Sequence, residues 1–86
     1  MTYRVELLRE AEKTLQSLDR VVERRIREKL RELAQAPLDP RLSRQMETAK
    51  DRRYSRVGDW RIIYRVNEAA GTLDILAIRP RSRAYR

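Results

Sequence analysis

The chain has 86 residues, with 21 Lys or Arg against 13 Asp or Glu and a formal net charge of +8. A length of this order holds one domain with a thin core, here read as residues 1–86. It contains no cysteine and no histidine, which excludes disulfides, thiolate or imidazole metal sites, the commonest general base and the thiol nucleophile.

Tyr3, Val5 and Leu7 alternate with Thr2, Arg4 and Glu6, the period-2 mark of a short strand. The period then changes. Leu8, Ala11, Leu15 and Leu18 form a helical stripe, and Val22, Ile26, Leu30, Leu33 and Ala34 form a second, longer one. Asp19 between them is a preferred N-cap for the second helix. Glu23 with Arg27 and Glu28 with Arg31 stand at helical spacing and read as a solvated face. Pro37 and Pro40 end that helix. A short strand is expected near Leu42–Met46. Arg52–Val57, Trp60–Val66 and Thr72–Arg79 read as three further strands, with turns at Gly58-Asp59 and Asn67–Gly71 and a stop at Pro80. The N-terminal segment MTYRVELLRE lacks the apolar core of a signal peptide, and no apolar run approaches membrane-spanning length. The expected location is the cytoplasm, with no membrane partner.

The charge is unevenly placed. Residues 1–49 carry 11 basic and 9 acidic side chains, and residues 50–86 carry 10 basic and 4 acidic, so +6 of the +8 lies in the second part. A two-residue loop at Gly58-Asp59 pairs Val57 with Trp60, Arg56 with Arg61, Ser55 with Ile62, Tyr54 with Ile63, Arg53 with Tyr64 and Arg52 with Arg65. Alternation then puts Arg52, Tyr54, Arg56, Arg61, Ile63 and Arg65 on one face. The opposite face, with Val57, Trp60, Ile62, Tyr64 and Val66, is the apolar one and is expected to pack on the helices. Arginines directly opposite each other on paired strands repel by about 0.2–1 kcal/mol per pair, a cost that a polyanion would relieve. The tail adds Arg79, Arg81, Arg83 and Arg86, with Tyr85 as a base-stacking group. The residues taken alone indicate an arginine-rich sheet face for RNA, without a DNA recognition helix.

The order of strand, helix pair, three-stranded meander and basic tail resembles the RelE/ParE toxin superfamily of bacterial type II toxin–antitoxin systems. RVGDWRIIYRV, Arg56 to Val66, is similar to its core hairpin. Ile78, Arg81 and Tyr85 match its closing I-x-x-R-x-x-x-Y motif. The resemblance implies an α+β fold: an N-terminal strand, an antiparallel helix pair, and an antiparallel three- to four-stranded sheet with the helices on one face. In the RelE branch it implies a ribosome-dependent mRNA endonuclease, or mRNA interferase. Such a toxin cleaves mRNA in the A site through attack by the 2′-hydroxyl, without metal or cofactor, and so inhibits translation.

By position, Arg61 is similar to the family arginine that stabilises the transition-state phosphate. Arg81, or Arg79 when the tail is aligned by distance to Tyr85, is similar to the second functional arginine, and Tyr85 to the tyrosine that stacks on or orients the substrate. Lys50, Arg52, Tyr54, Arg56, Arg65 and Arg83 complete the expected RNA-binding set, with Tyr54 standing where many members carry Lys or Arg. Arginine stays protonated, so proton transfer falls to Lys50 or Tyr85, or much of the rate comes from positioning. The implied partners are an acidic antitoxin, in a toxin–antitoxin hetero-oligomer, and the ribosome with its mRNA. The alternatives are a ParE-like inhibitor of DNA gyrase and a degenerate toxin that only binds RNA or antitoxin.

Overall fold

The computed structural model describes residues 2–81. Its elements in chain order are β1 (Arg4–Leu7), α1 (Arg9–Ser17), α2 (Arg20–Gln35), β2 (Arg44–Gln45), β3 (Arg53–Val57), β4 (Trp60–Asn67) and β5 (Thr72–Pro80). The strands form one sheet in the order β1-β5-β4-β3-β2. The sheet is mixed: β1 runs parallel to β5, with Arg4 to Leu7 beside Thr72 to Ile75, and the other pairs are antiparallel. The N-terminal strand therefore joins the C-terminal meander, giving five strands.

Both helices form for the reasons their stripes suggest. Ala11 and Leu15 of α1, and Ile26, Leu30, Leu33 and Ala34 of α2, are buried. The Asp19 carboxylate accepts from the backbone N–H groups of Val21 and Val22 at 3.0 and 3.1 Å, meeting two of the donors that every helix start leaves open. Arg27 pairs with Glu23 at 3.0 Å across one turn. The helix stripes meet Val57, Ile62, Tyr64, Leu73, Ile75 and Ile78 in one core. Each such aliphatic side chain stabilises the fold by about 1.5–3 kcal/mol when fully buried.

The β3–β4 hairpin has the expected register, from Val57↔Trp60 to Arg53↔Tyr64. Gly58 holds φ at +58°, while among the described residues no non-glycine has positive φ, so Asp59 is on the negative side as a type II′ turn requires. The ladder starts at Arg53, which leaves Arg52 outside it. Strand β5 runs one residue further than expected, through Pro80, which sits opposite Trp60. A missing N–H is tolerated at a strand end, and the next amide, of Arg81, donates to the Asp59 carbonyl at 2.7 Å. An irregularity in the β4–β5 ladder falls at Ile63/Tyr64, where the partners step from Ala77 to Ile75 and Leu76 is the extra residue. Among the described residues, no helix is long and apolar enough to cross a membrane.

Candidate RNA-binding face

Helices cover one side of the sheet. On the other, the register builds two rows. Arg56, Arg61 and Arg79 stand abreast across β3, β4 and β5. Beside them run Arg44, Tyr54, Ile63 and Ala77, across β2 to β5. Arg61 and Arg79 of the first row and all of the second border a cleft of about 1210 Å³, whose walls are the 44–49 segment with Arg52 on one side and Glu10 of α1 on the other.

The three abreast arginines have different surroundings. Arg56 is exposed. Arg61 is not: only 1% of it is accessible, and its guanidinium carbon lies 4.7 Å from the centroid of the Tyr54 ring. A delocalised guanidinium is weakly hydrated and stacks well on an aromatic face, which eases its burial. Arg79 is forked onto Glu10, with Nε and a terminal nitrogen donating to the two carboxylate oxygens at 2.9 and 3.0 Å. The Arg79 hydrogen bonds hold the Glu10 carboxyl below its ordinary pKa, against a smaller opposing effect of desolvation, and the same hydrogen bonds raise that of Arg79. The alternation expected from sequence thus places the arginines on this face, but the face is not a uniform exposed carpet. Ile63 and Ala77 are buried beside Arg61.

The other expected site residues are spread around these rows. Lys50 and Arg52 are exposed ahead of β3, where the Lys50 carbonyl accepts from Gln45 at 2.7 Å. Arg65 lies on the same face as Arg61, further along β4, within 3.5 Å of Asp74 on β5; its charge is thereby partly matched within the sheet. Arg81 is exposed just beyond β5. Arg83 and Tyr85 lie outside the described residues.

Three contributors were not foreseen. Nothing local marks Glu10 as a partner for a residue 69 positions away. Arg44 faces the cleft because it pairs with Tyr54; the expected short strand at 42–46 contained it without fixing its register. Ser43 anchors the chain just before Arg44. It accepts from Arg53 Nε at 2.8 Å and donates to the Pro37 carbonyl at 3.2 Å. The Tyr64 hydroxyl is in hydrogen-bond contact with both the Pro37 carbonyl and Ser43. Ser55 adds a bond to the Leu42 carbonyl at 2.6 Å. A buried, satisfied network of this kind fixes geometry, and here it sets the position from which β2 leaves.

Comparison with known proteins agrees with this architecture. Residues 5–85 match the family described as ParE toxin of type II toxin–antitoxin system, parDE. The toxin–antitoxin complex RelBE2 of Mycobacterium tuberculosis contains a chain 25% identical over 94% of this one and 100% of its own, with a TM-score of 0.80. The archaeal RelE–RelB complex of Pyrococcus horikoshii OT3 contains one that is 35% identical over 98% and 100%, with a TM-score of 0.79. The isolated E. coli RelE toxin shares the fold at 17% identity, covering 95% of this chain and 87% of its own, with a TM-score of 0.81. No functionally curated protein sequence matches.

Proposed function

The chain belongs to the RelE/ParE superfamily of type II toxin–antitoxin toxins, and from that premise we propose that it cuts mRNA on the ribosome, with its arginine face as the phosphate-binding surface. The observation that carries this reading is Arg61 and Arg79, side by side on β4 and β5 and set against Tyr54 along a cleft. Like charges aligned across paired strands oppose folding, and a phosphodiester is the ligand that repays the arrangement.

The reaction is attack of a ribose 2′-hydroxyl on the adjacent phosphorus. The O2′–P bond forms, the P–O5′ bond breaks, the 2′ proton is lost and the leaving O5′ gains one. The arginines neutralise charge on the pentacoordinate phosphate. One preorganised donor in such a site contributes roughly 3 kcal/mol to the barrier reduction. Arg79 meets the phosphate after leaving Glu10, and Arg61 after Tyr54 gives way. Arg81, Lys50 and Tyr85 are assigned to the substrate side, Lys50 or Tyr85 as proton carrier and Tyr85 as base stack. Both core arginines are engaged in the free protein, so productive contact depends on RNA that another body holds in the reactive shape, a role for the ribosome.

The relatives from M. tuberculosis and P. horikoshii are toxin–antitoxin complexes. By extension, an acidic antitoxin is proposed as this chain's partner, its charge complementing the net +8.

The test adds purified protein to programmed ribosomes and maps the cuts, beside Arg61→Ala and Arg81→Ala. Expected are A-site cuts that require the ribosome, weakened at least about a hundredfold in Arg61→Ala, as for loss of one transition-state donor. Cutting of naked RNA at the same rate would refute the ribosome requirement. The matching family is described by its ParE member, which favours gyrase as a second target. No cuts together with inhibited gyrase supercoiling would establish that reading, and neither effect would leave a toxin that only binds.

A further inference from the structure

A second cleft, of about 490 Å³, opens at the β2 edge of the sheet. Four cations line it: Lys29 from α2, Arg41 from the segment entering β2, Arg44 from β2 itself, and Arg56 from β3; Tyr54 is the shared wall. No carboxylate is among its lining residues. Two of the cations are matched nearby, Lys29 by Glu32 at 3.7 Å and Arg41 by Asp39 at 2.8 Å. Arg44 and Arg56 are exposed, and among the described residues no carboxylate pairs with either. Arg44 and Arg56 flank Tyr54 on its own face: Arg44 opposite it across the ladder, Arg56 two residues along β3.

We infer that this cleft is a second phosphate-binding subsite, which takes phosphodiester groups of the same RNA strand beyond those held in the main cleft. The inference rests on the RNA reading given above. Continuity carries it: Arg44 and Tyr54 line both clefts, so a strand leaving the Arg79 side crosses the Tyr54 ring and meets Arg44 and Arg56 without a break. From β5 to β2 is three inter-strand steps, about 14 Å at the usual ~4.8 Å spacing. That is the length of about four phosphates at the ~3.4 Å helical rise per strand, and fewer in an extended chain. Arginine's fork suits phosphate oxygens, and a tyrosine between two arginines provides a sequence-tolerant stacking platform. Since Arg44 and Arg56 are accessible as folded while Arg61 is buried, the β2 edge is where RNA docks first, and the engaged arginines follow.

The test uses 2′-O-methyl oligonucleotides, which cannot be cleaved, of three and nine nucleotides. Their affinities are measured by fluorescence anisotropy across a salt series, for the wild type, Arg41→Gln/Arg56→Gln and Arg79→Ala; Arg41 and Arg56 line the second cleft and not the main one. Both residues of the double variant are exposed, so its unfolding should show no large loss of thermal stability. The expected result is a nonamer affinity at least about tenfold weaker in the double variant, and a salt slope shallower by about 1.4, the value for two single-strand phosphate contacts. Trinucleotide affinity should hold within about twofold, because the short strand fits the main cleft alone. Equal losses on both lengths, or none on either, would overturn the subsite. So would stronger competition at this edge by a polyglutamate peptide than by the nonamer, which would make it a protein-docking surface. Arg79→Ala separates the two readings. If it leaves trinucleotide binding untouched while the double variant still loses the nonamer, the subsite stands and the proposed main cleft fails.

Discussion

On the helix side of the sheet, Val57, Ile62, Tyr64, Leu73, Ile75 and Ile78 meet the buried stripes of α1 and α2. On the other side, Arg56, Arg61 and Arg79 are set abreast on three strands. The strands β3 and β4 serve both, because alternate residues point opposite ways. A side chain on the helix side is chosen for packing, and its neighbours gain from it. A side chain on the arginine side is held against its neighbours' charge, and the fold tolerates it through Tyr54 over Arg61 and Glu10 on Arg79. Apolar packing and cationic charge are therefore written on opposite sides of the same strands.

The comparison can be broken by substitutions on each side. The largest effect belongs to Ile62→Ala, which should cost about 2–5 kcal/mol in urea unfolding, a large part of the ~5–15 kcal/mol of a typical domain. The milder Ile62→Val, at about 0.5–1.5 kcal/mol, should leave RNA affinity unchanged; an altered affinity would mean that the two faces are coupled. The opposite sign is expected for Arg56→Gln. Removing the charge facing Arg61 should raise stability by about 0.2–1 kcal/mol while RNA binding weakens. A simultaneous loss of both would contradict the contrast.

The smallest effect is that of Glu10→Gln, read as unfolding temperature against pH. The folded-state carboxyl lies below its ordinary value of 4.5 because Arg79 donates to it. Its contribution is accordingly present above about pH 4.5 and lost as pH falls through the folded value. The gap between wild type and variant should close on acidification. Since the pair is largely exposed, the gap should be small throughout.

The hairpin was legible in the sequence because a two-residue loop with Gly58 leaves one register, and the register decides which residues share a face. Asp19 and the two apolar stripes were legible for a similar reason: their signals lie within one or two turns. What could not be read depends on chain segments far apart. The parallel pairing of β1 with β5 joins Arg4 to Thr72, and no local pattern encodes it. Glu10 meets Arg79 by the same long-range closure. The contact of Arg61 with a ring on the adjacent strand, diagonal to it, lies beyond what the register specifies. Alternation gives the face of a side chain and says nothing of what lies above it.

Because β5 is hydrogen-bonded to β1 on one flank and to β4 on the other, the first and last thirds of the chain share a strand that is translated after both its partners. Until Thr72–Pro80 is available, the N-terminal strand and the β3–β4 hairpin have nothing to join them, and Arg61 lacks its neighbour Arg79. Long-range pairing of this kind forms late and slowly. A growing chain therefore carries the separate parts of the arginine row unassembled, and the row is complete only after Thr72–Pro80 has been made.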